Sequence, residues 1–236
     1  MPASYGQFCP VAKAMELLDE RWTLLVVREL MMGSHHFNDL RRGLPRISPT
    51  LLSKRLQTLV RAGVVDRWED GKRVCYQLSP AGRELEPIVE ALGSWGIRWV
   101  PEIGDEDLDP HLLLWDIHRN IAVDSLPEGR TVLHFAFTDV PVANRQWWIV
   151  ITTEGVDVCD ADPGFDVRVA IETGLRTLTL VWRGDLTWAA ALRSGTLELH
   201  GETRARRALP NWLKLSPLAS TPRPELTAVD AGDPLF

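Results

Sequence analysis

The sequence predicts two domains: a mainly α-helical N-terminal domain and an α+β C-terminal domain with an antiparallel sheet flanked by helices. Helical apolar periodicity runs from residue 10 to residue 99 and is interrupted by one short hairpin pattern. After residue 130 the pattern changes to short β-type runs with tight connections. Residues 1–100 hold 14 basic and 11 acidic side chains, whereas residues 101–236 hold 12 and 21. We therefore expect domains at 1–100 and 110–215, a linker at 101–109 and a flexible tail at 216–236.

Three helices open the first domain. Pro10 suits the first position of a helix, and apolar residues follow it at helical spacing. A second helix over residues 22–32 ends at Gly33, which suits a C-terminal cap. A short third helix begins at Phe37 and ends near Gly43.

The fourth helix has two contrasting faces. Ser48 supplies a capping oxygen, Pro49 follows at the first helical position, and Gly63 ends the helix. One face is an apolar stripe of Leu52, Leu56 and Leu59. The opposite face carries Thr50, Ser53, Lys54, Gln57 and Arg61. Arg55 lies at the flank of the leucine face, and we expect it to support the fold.

A basic hairpin follows this helix. Asp70-Gly71 is a strong turn signal between two β-type runs, and it places Lys72 and Arg73 at the tip. Residues 41–73 contain nine basic and three acidic side chains, a local charge of +6 that suits a phosphate backbone. The order of elements is that of a winged helix-turn-helix that binds double-stranded DNA. We expect base contacts from Ser48, Thr50, Ser53, Lys54 and Gln57, and phosphate contacts from Arg42, Arg46, Arg61, Lys72 and Arg73.

The last helix of this domain begins after Ser79-Pro80 and carries a long apolar stripe. Pro87 lies inside the stripe and should kink the helix or delay its start. The stripe consists of Leu85, Ile88, Val89, Leu92, Trp95 and Trp99. It predicts a homodimer, which would place two recognition helices about one DNA turn apart on a palindrome. The alternative is that the stripe packs on the second domain.

These motifs together resemble the HxlR family of bacterial winged-helix regulators. The resemblance spans residues 8–100 and includes Cys9-Pro10, Arg21-Trp22-Thr23-Leu24-Leu25, Phe37-Asn38-Asp39-Leu40, Ile47-Ser48-Pro49-Thr50-Leu51-Leu52, Pro80-Ala81-Gly82-Arg83-Glu84-Leu85 and Trp95-Gly96. It implies a homodimer that binds palindromic operators through the fourth helix and the wing. The stretch Ser34-His35-His36 departs from the family pattern, which usually has basic residues there, and the wing is short.

In the second domain, the sequence predicts a helix from Asp109-Pro110 and strands over 131–138, 146–153, 155–159, 167–173 and 175–182. A helix over 185–194, a strand over 196–200 and a helix over 202–213 follow. The stretch from Trp188 to Leu213 resembles sterol-carrier-protein-type domains. That resemblance implies a hydrophobic tunnel and a lipid-like or aromatic ligand.

Six of the ten tryptophans fall in this second part of the chain. We predict that the hydrophobic ligand contacts some of Trp115, Trp147, Trp148, Trp182, Trp188 and Trp212. Adjacent Trp147 and Trp148 should face opposite sides of the sheet. For most of the six, ordinary core packing is the competing interpretation.

Other function classes find less support. The sequence has no GxSxG, P-loop or HExxH motif and no cysteine-histidine cluster, so we predict neither an enzyme nor a cofactor or metal site. No stretch is typical of a signal peptide or a membrane span, and we expect a cytoplasmic protein. The alternative is a redox or electrophile sensor acting through Cys9, since some HxlR relatives use this cysteine. A small buried packing residue is the competing interpretation of Cys9.

Overall fold

A computed structural model describes residues 4–100 and 102–224. The chain forms two compact units that divide between Gly93 and Ser94, inside a helix and ahead of the predicted linker.

Among the described residues, the first unit contains five helices, a hairpin and the start of a sixth helix. The helices are α1 (Pro10–Leu18), α2 (Thr23–Met31), α3 (Phe37–Gly43), α4 (Pro49–Arg61), α5 (Pro80–Arg83) and α6 (Glu86–Trp99). The hairpin pairs β1 (Val65–Asp70) with β2 (Arg73–Leu78) in antiparallel register. Pro87 is the second residue of α6, so the predicted delay of the helix start is confirmed, and the short α5 lies before it.

One apolar core holds the first unit together. Val26, Leu40, Leu52 and Leu59 are fully buried in it, and α2, α3 and α4 all contribute to it. Helix α1 contributes no buried residue.

The second unit is a five-stranded sheet with helices packed on one face. Its helices are α7 (Pro110–His118), α8 (Leu175–Arg183), α9 (Trp188–Ser194) and α10 (Thr203–Trp212). Its strands are β3 (Thr131–Phe137), β4 (Gln146–Ile151), β5 (Val156–Cys159), β6 (Val169–Thr173) and β7 (Leu197–Gly201), in the spatial order β5-β4-β3-β6-β7. Phe135 and Phe137 from the sheet and Leu178 and Leu209 from the helices share one buried core.

The prediction of a purely antiparallel sheet is wrong. Strands β3 and β6 pair in parallel, with Leu133 opposite Val169 and Phe137 opposite Thr173. The other three pairings are antiparallel. Strands β3, β4 and β5 follow one another towards one edge of the sheet. The chain then crosses to the free side of β3, where β6 runs in the same direction as β3.

The predicted strand over 175–182 is also wrong, because this segment is helix α8. Its alternating letters fit a strand, but its buried residues, Leu175, Leu178, Val181 and Trp182, recur at helical spacing. The start of the helix is fixed from a distant place in the chain. The carboxylate of Asp139 accepts hydrogen bonds from the backbone N–H groups of Leu175 (2.6 Å) and Arg176 (3.4 Å).

The predicted linker and the first part of the predicted tail are attached to the second unit. Arg176 donates to the carbonyl of Ile103 at 2.9 Å and to Asp105 at 2.7 Å. Arg223 binds Asp185 at 2.6 Å and also donates to the carbonyl of Arg183. Over residues 216–224 the flexible-tail prediction is therefore corrected, since these charge-assisted bonds hold the segment against α8. Residues 225–236 of the predicted tail lie outside the described residues.

Candidate nucleic-acid interface

Helix α4 is held in place by its leucines and its first turn. The Ser48 hydroxyl caps the helix by accepting a hydrogen bond from the Leu51 N–H at 3.3 Å. Leu52, Leu56 and Leu59 are at most 1% exposed and fix one face of the helix in the core. The helix therefore has a single orientation relative to α2 and α3.

The opposite face of α4 is open to solvent. Thr50, Lys54, Gln57 and Arg61 are exposed, and Ser53 is half-buried. Because these side chains lie on one side of a 13-residue helix, they could enter a major groove together. Ser48 is exposed too, and its hydroxyl oxygen already accepts the capping hydrogen bond from Leu51. The same hydroxyl can still donate its proton to a phosphate oxygen.

Four further basic residues are exposed on neighbouring elements of the same unit. Arg42 at the end of α3, Arg46 in the turn before α4, and Lys72 and Arg73 at the tip of the hairpin are all exposed. Gly71 adopts φ +59° in this two-residue turn, a conformation that favours glycine. The structure thus places all ten predicted DNA-contact residues in one unit, around the recognition helix and the wing.

Arg55 belongs to the support of the helix and not to its exposed face. It is only 7% exposed. Its Nε donates to the carbonyl of Arg21 at 2.9 Å, and its guanidinium pairs with Glu20 at 2.5 Å. Trp22, the next residue along, has a φ of +79° and begins α2. Arg55 therefore ties the recognition helix to the strained turn between α1 and α2.

Two histidines, which depart from the pattern of the family, position the wing. The backbone N–H of Tyr76 donates to the carbonyl of His35 at 2.8 Å, and His36 forms a β-bridge with Cys75. The His35 ring also contacts the carbonyl of Tyr76 at 3.1 Å. Residues 35–36 thus add a third short extended segment to the hairpin and join it to the start of α3. No local pattern signals this, because the pairing partner is about 40 residues away.

A second internal tie lies at the end of α3. Glu29 is fully buried and bonds Arg28 at 2.6 Å and Ser34 at 3.2 Å. A Cβ atom on Gly43 would lie 1.8 Å from the Glu29 carboxylate. A larger residue at position 43 would therefore have to displace the buried Glu29 carboxylate.

Comparison with known proteins also identifies a helix-turn-helix in this part of the chain. The family model described as "HxlR-like helix-turn-helix" matches residues 17–103. The uncharacterized HTH-type transcriptional regulator YvaP of Bacillus subtilis is 36% identical over 99 residues, which are 40% of this chain and 92% of that protein. The chain belongs to the HxlR family. As a member of this helix-turn-helix family, it is a transcriptional regulator that binds DNA.

Two further similar proteins cover about the same share of the chain. The uncharacterized HTH-type regulator Rv3095 of Mycobacterium tuberculosis is 43% identical over 94 residues, 39% of this chain and 59% of that protein. The solved structure of the redox regulator HypR in its oxidized form is 32% identical, covers 38% of this chain and 95% of that one, and has a TM-score of 0.36. The family model ends at residue 103, so the HxlR match describes the winged-helix part and leaves the second unit to its own structure.

In the second unit of this HxlR regulator, the six tryptophans are not brought into a single cavity. Trp115, Trp147, Trp182 and Trp212 are at most 8% exposed, and the last three belong to the core between the sheet and the helices. As predicted, Trp148 faces the other side of the sheet from Trp147, and it stacks on His134 at 4.9 Å between ring centroids. Core packing therefore accounts for most of these rings.

Two grooves on this unit each include one tryptophan. The first, of about 440 Å³, lies between Trp188 and the segment from Leu215 to Ser220, and the Trp188 Nε1 is buried without a hydrogen-bond partner in the described chain. The second, of about 400 Å³, lies between residues 125–127 and helix α10, and Trp212 lines it.

The cysteines are separate from one another. Cys9 is half-buried at the N-cap of α1, and Cys75 is buried beside His36, with 3.7 Å between Sγ and Nδ1. Burial and two neighbouring carboxylates raise the pKa of the Cys159 thiol. Within 4–100 and 102–224, no three His, Cys, Asp or Glu side chains are grouped so that they could hold a metal ion. Nor does any helix in those ranges have the length and apolar character needed to cross a membrane.

Proposed function

We propose that this HxlR regulator binds a palindromic operator as a homodimer, with α4 in the major groove and the hairpin against the backbone. The observation that carries the proposal is the exposed polar and basic face of α4 behind a fully buried leucine face. Ser48, Thr50, Ser53, Lys54 and Gln57 are assigned to base edges or the adjacent backbone. Arg42, Arg46, Arg61, Lys72 and Arg73 are assigned to phosphates.

Operator selection from random duplex DNA, followed by fluorescence polarisation, tests this assignment. Gln57→Ala should cost about 1–3 kcal/mol at one operator position and relax specificity there. Lys72→Ala should weaken every sequence alike and reduce the salt slope by about one. A protein that selects no sequence, or a Gln57→Ala variant that retains the full preference, would contradict the assignment.

The second copy is proposed to pack on α6 and α1. On α6, Ile88, Leu92 and Trp95 are 54%, 51% and 53% exposed, and on the N-terminal side Phe8 is 99% and Val11 70% exposed. Exposed apolar patches mark association surfaces, and a protein that binds a palindrome as a dimer needs two-fold symmetry. Leu92→Glu should shift the mass measured by light scattering from dimer to monomer, whereas Arg83→Glu on α5 should leave it unchanged. A monomeric wild type, or a dimeric Leu92→Glu variant, contradicts this interface.

The second unit is proposed to bind a hydrophobic or aromatic small molecule that changes operator affinity. The two grooves and the resemblance to sterol-carrier-type domains support this. Control by a ligand requires different affinities for the DNA-competent and DNA-incompetent states. The affinity for operator DNA should therefore change when a ligand that is known to bind is added. If no bound ligand changes this affinity, regulation by a ligand is refuted.

A thiol sensor is the alternative. Cys9 is half-buried at the start of α1, a helix with no buried residue, so its oxidation could disturb the proposed dimer surface. Oxidant titration of operator binding separates the two ideas, because a response that persists in Cys9→Ser excludes this cysteine.

A further inference from the structure

The groove beside Trp212 combines an apolar wall with a cationic end. Leu126 and Trp212 form part of its walls, and Ala205 and Ala208 lie three residues apart on the same face of α10. These small side chains leave open the volume of about 400 Å³ that larger residues would fill. A volume of this order suits a small organic molecule.

Two arginines line the same groove and have no partner in the described part of the second unit. Neither Arg168, which is half-buried, nor Arg204, which is exposed, makes an ion pair or a side-chain hydrogen bond there. Some other arginines of this acidic unit do pair with acids: Arg176 with Asp105 at 2.7 Å and Arg183 with Asp185 at 2.8 Å. An arginine that lines a groove and forms no ion pair is a ready partner for an anionic ligand.

The charge balance selects among anions. Glu202 also lines the groove, so the three charged side chains there sum to +1. A monoanion brings the net charge of the groove to zero, whereas a phosphate dianion would leave it at −1. The apolar walls in turn favour a ligand with a hydrophobic body over a small inorganic ion.

We propose that this groove binds a monocarboxylate with an apolar body, whose carboxylate contacts Arg168 and Arg204 and whose body lies between Leu126 and α10. This inference rests on the proposed ligand response, because it chooses between the two grooves and states the chemistry of the ligand. It makes the Trp212 groove selective for charge, which the Trp188 groove, lined without any charged residue, is not.

Calorimetric titration of the full-length protein with 4-phenylbutyrate tests the site. The comparison ligands are 4-phenylbutanol, acetate and inorganic phosphate. Phenylbutyrate should bind most tightly, and its affinity should fall as salt rises, whereas the affinity for the alcohol should not. Arg168→Gln and Arg204→Gln should each weaken phenylbutyrate binding by about tenfold, the loss expected for a charge-assisted hydrogen bond.

The matched controls are Arg207→Gln and Ala208→Phe. Arg207 is exposed on the same helix outside the groove, so its loss should leave binding unchanged. Ala208→Phe should fill the groove and abolish binding while operator affinity without ligand is retained. The site is refuted if phenylbutyrate gives no heat at millimolar concentration, or if the alcohol binds equally well. Equal binding by both arginine variants and the wild type would refute it too.

Operator affinity distinguishes the failure of this site from failure of the proposed control. Phenylbutyrate that binds but leaves operator affinity unchanged would overturn the control and leave the site standing. A neutral apolar compound that alters operator affinity, in a protein that ignores phenylbutyrate, would overturn the site and leave the control standing.

Discussion

Two arginines of helix α4 should separate stability from DNA binding. Arg55 is 7% exposed and holds the Arg21 carbonyl and the Glu20 carboxylate, whereas Arg61 is exposed on the other face. Arg55→Met keeps most of the packed stem but removes both bonds. Hydrogen bonds to charged groups contribute about 1.5–3 kcal/mol each, and Glu20 can regain water because it is 40% exposed. We therefore expect a loss of about 2–3 kcal/mol.

Scanning calorimetry measures this effect on the transition of the winged-helix unit. A loss of this size lowers the Tm of a domain of this length by about 10–20 °C. Arg61→Met should leave the Tm nearly unchanged, within about 0.5 kcal/mol, and should instead weaken operator binding and reduce the salt slope by about one.

Opposite behaviour of the pair would refute the reasoning. An unchanged Tm in Arg55→Met would mean that the two bonds contribute nothing to the orientation of the helix. A large drop in Arg61→Met would mean that this side chain supports the fold. A Glu20→Gln variant and the double variant with Arg55→Met complete a cycle that isolates the ion pair from the bond to the carbonyl.

Three further predictions concern single contacts. Gly43→Ala should lower the free energy of unfolding by about 2–3 kcal/mol, because the added methyl meets Glu29. Gly96→Ala on α6 is the control and should leave the stability unchanged, because no atom lies within 4 Å of its Cβ. Equal denaturation midpoints for the two variants would contradict the prediction. Asp139→Ala should cost about 1 kcal/mol and speed amide exchange in the first turn of α8 alone; unchanged exchange there would remove its capping role. Cys159 should react slowly with a disulfide reagent at neutral pH and faster as pH rises, because its raised pKa keeps it protonated; rapid labelling at pH 7 would contradict the burial effect.

The winged-helix half shows how far local patterns reach. The caps at Ser48 and Ser79, the turn at Gly71 and the leucine stripe of α4 each act within a few residues of chain. The sequence therefore predicted α1 to α4 and the hairpin, whereas the single helix predicted after Ser79 is divided into α5 and α6. It also separated Arg55 from its exposed neighbours by helical geometry alone.

The C-terminal half contains the errors, and each has a long-range cause. Segment 175–182 has letters that fit a strand and a helix alike, and the acid that caps it is Asp139, 36 residues earlier. The parallel pairing of β3 and β6 depends on which edge of β3 the returning chain reaches. Residues near Arg223 looked like a mobile tail because their partner, Asp185, is 38 positions away.

The amino-acid sequence by itself determined the winged helix-turn-helix, its basic surface and its family, because caps, turns and helical periodicity are set by neighbours along the chain. Only the tertiary structure decided the topology of the sheet, the distribution of the tryptophans between core and grooves, and the meeting of Arg168 with Arg204. Those features depend on contacts between residues far apart in the chain, and no local pattern carries them.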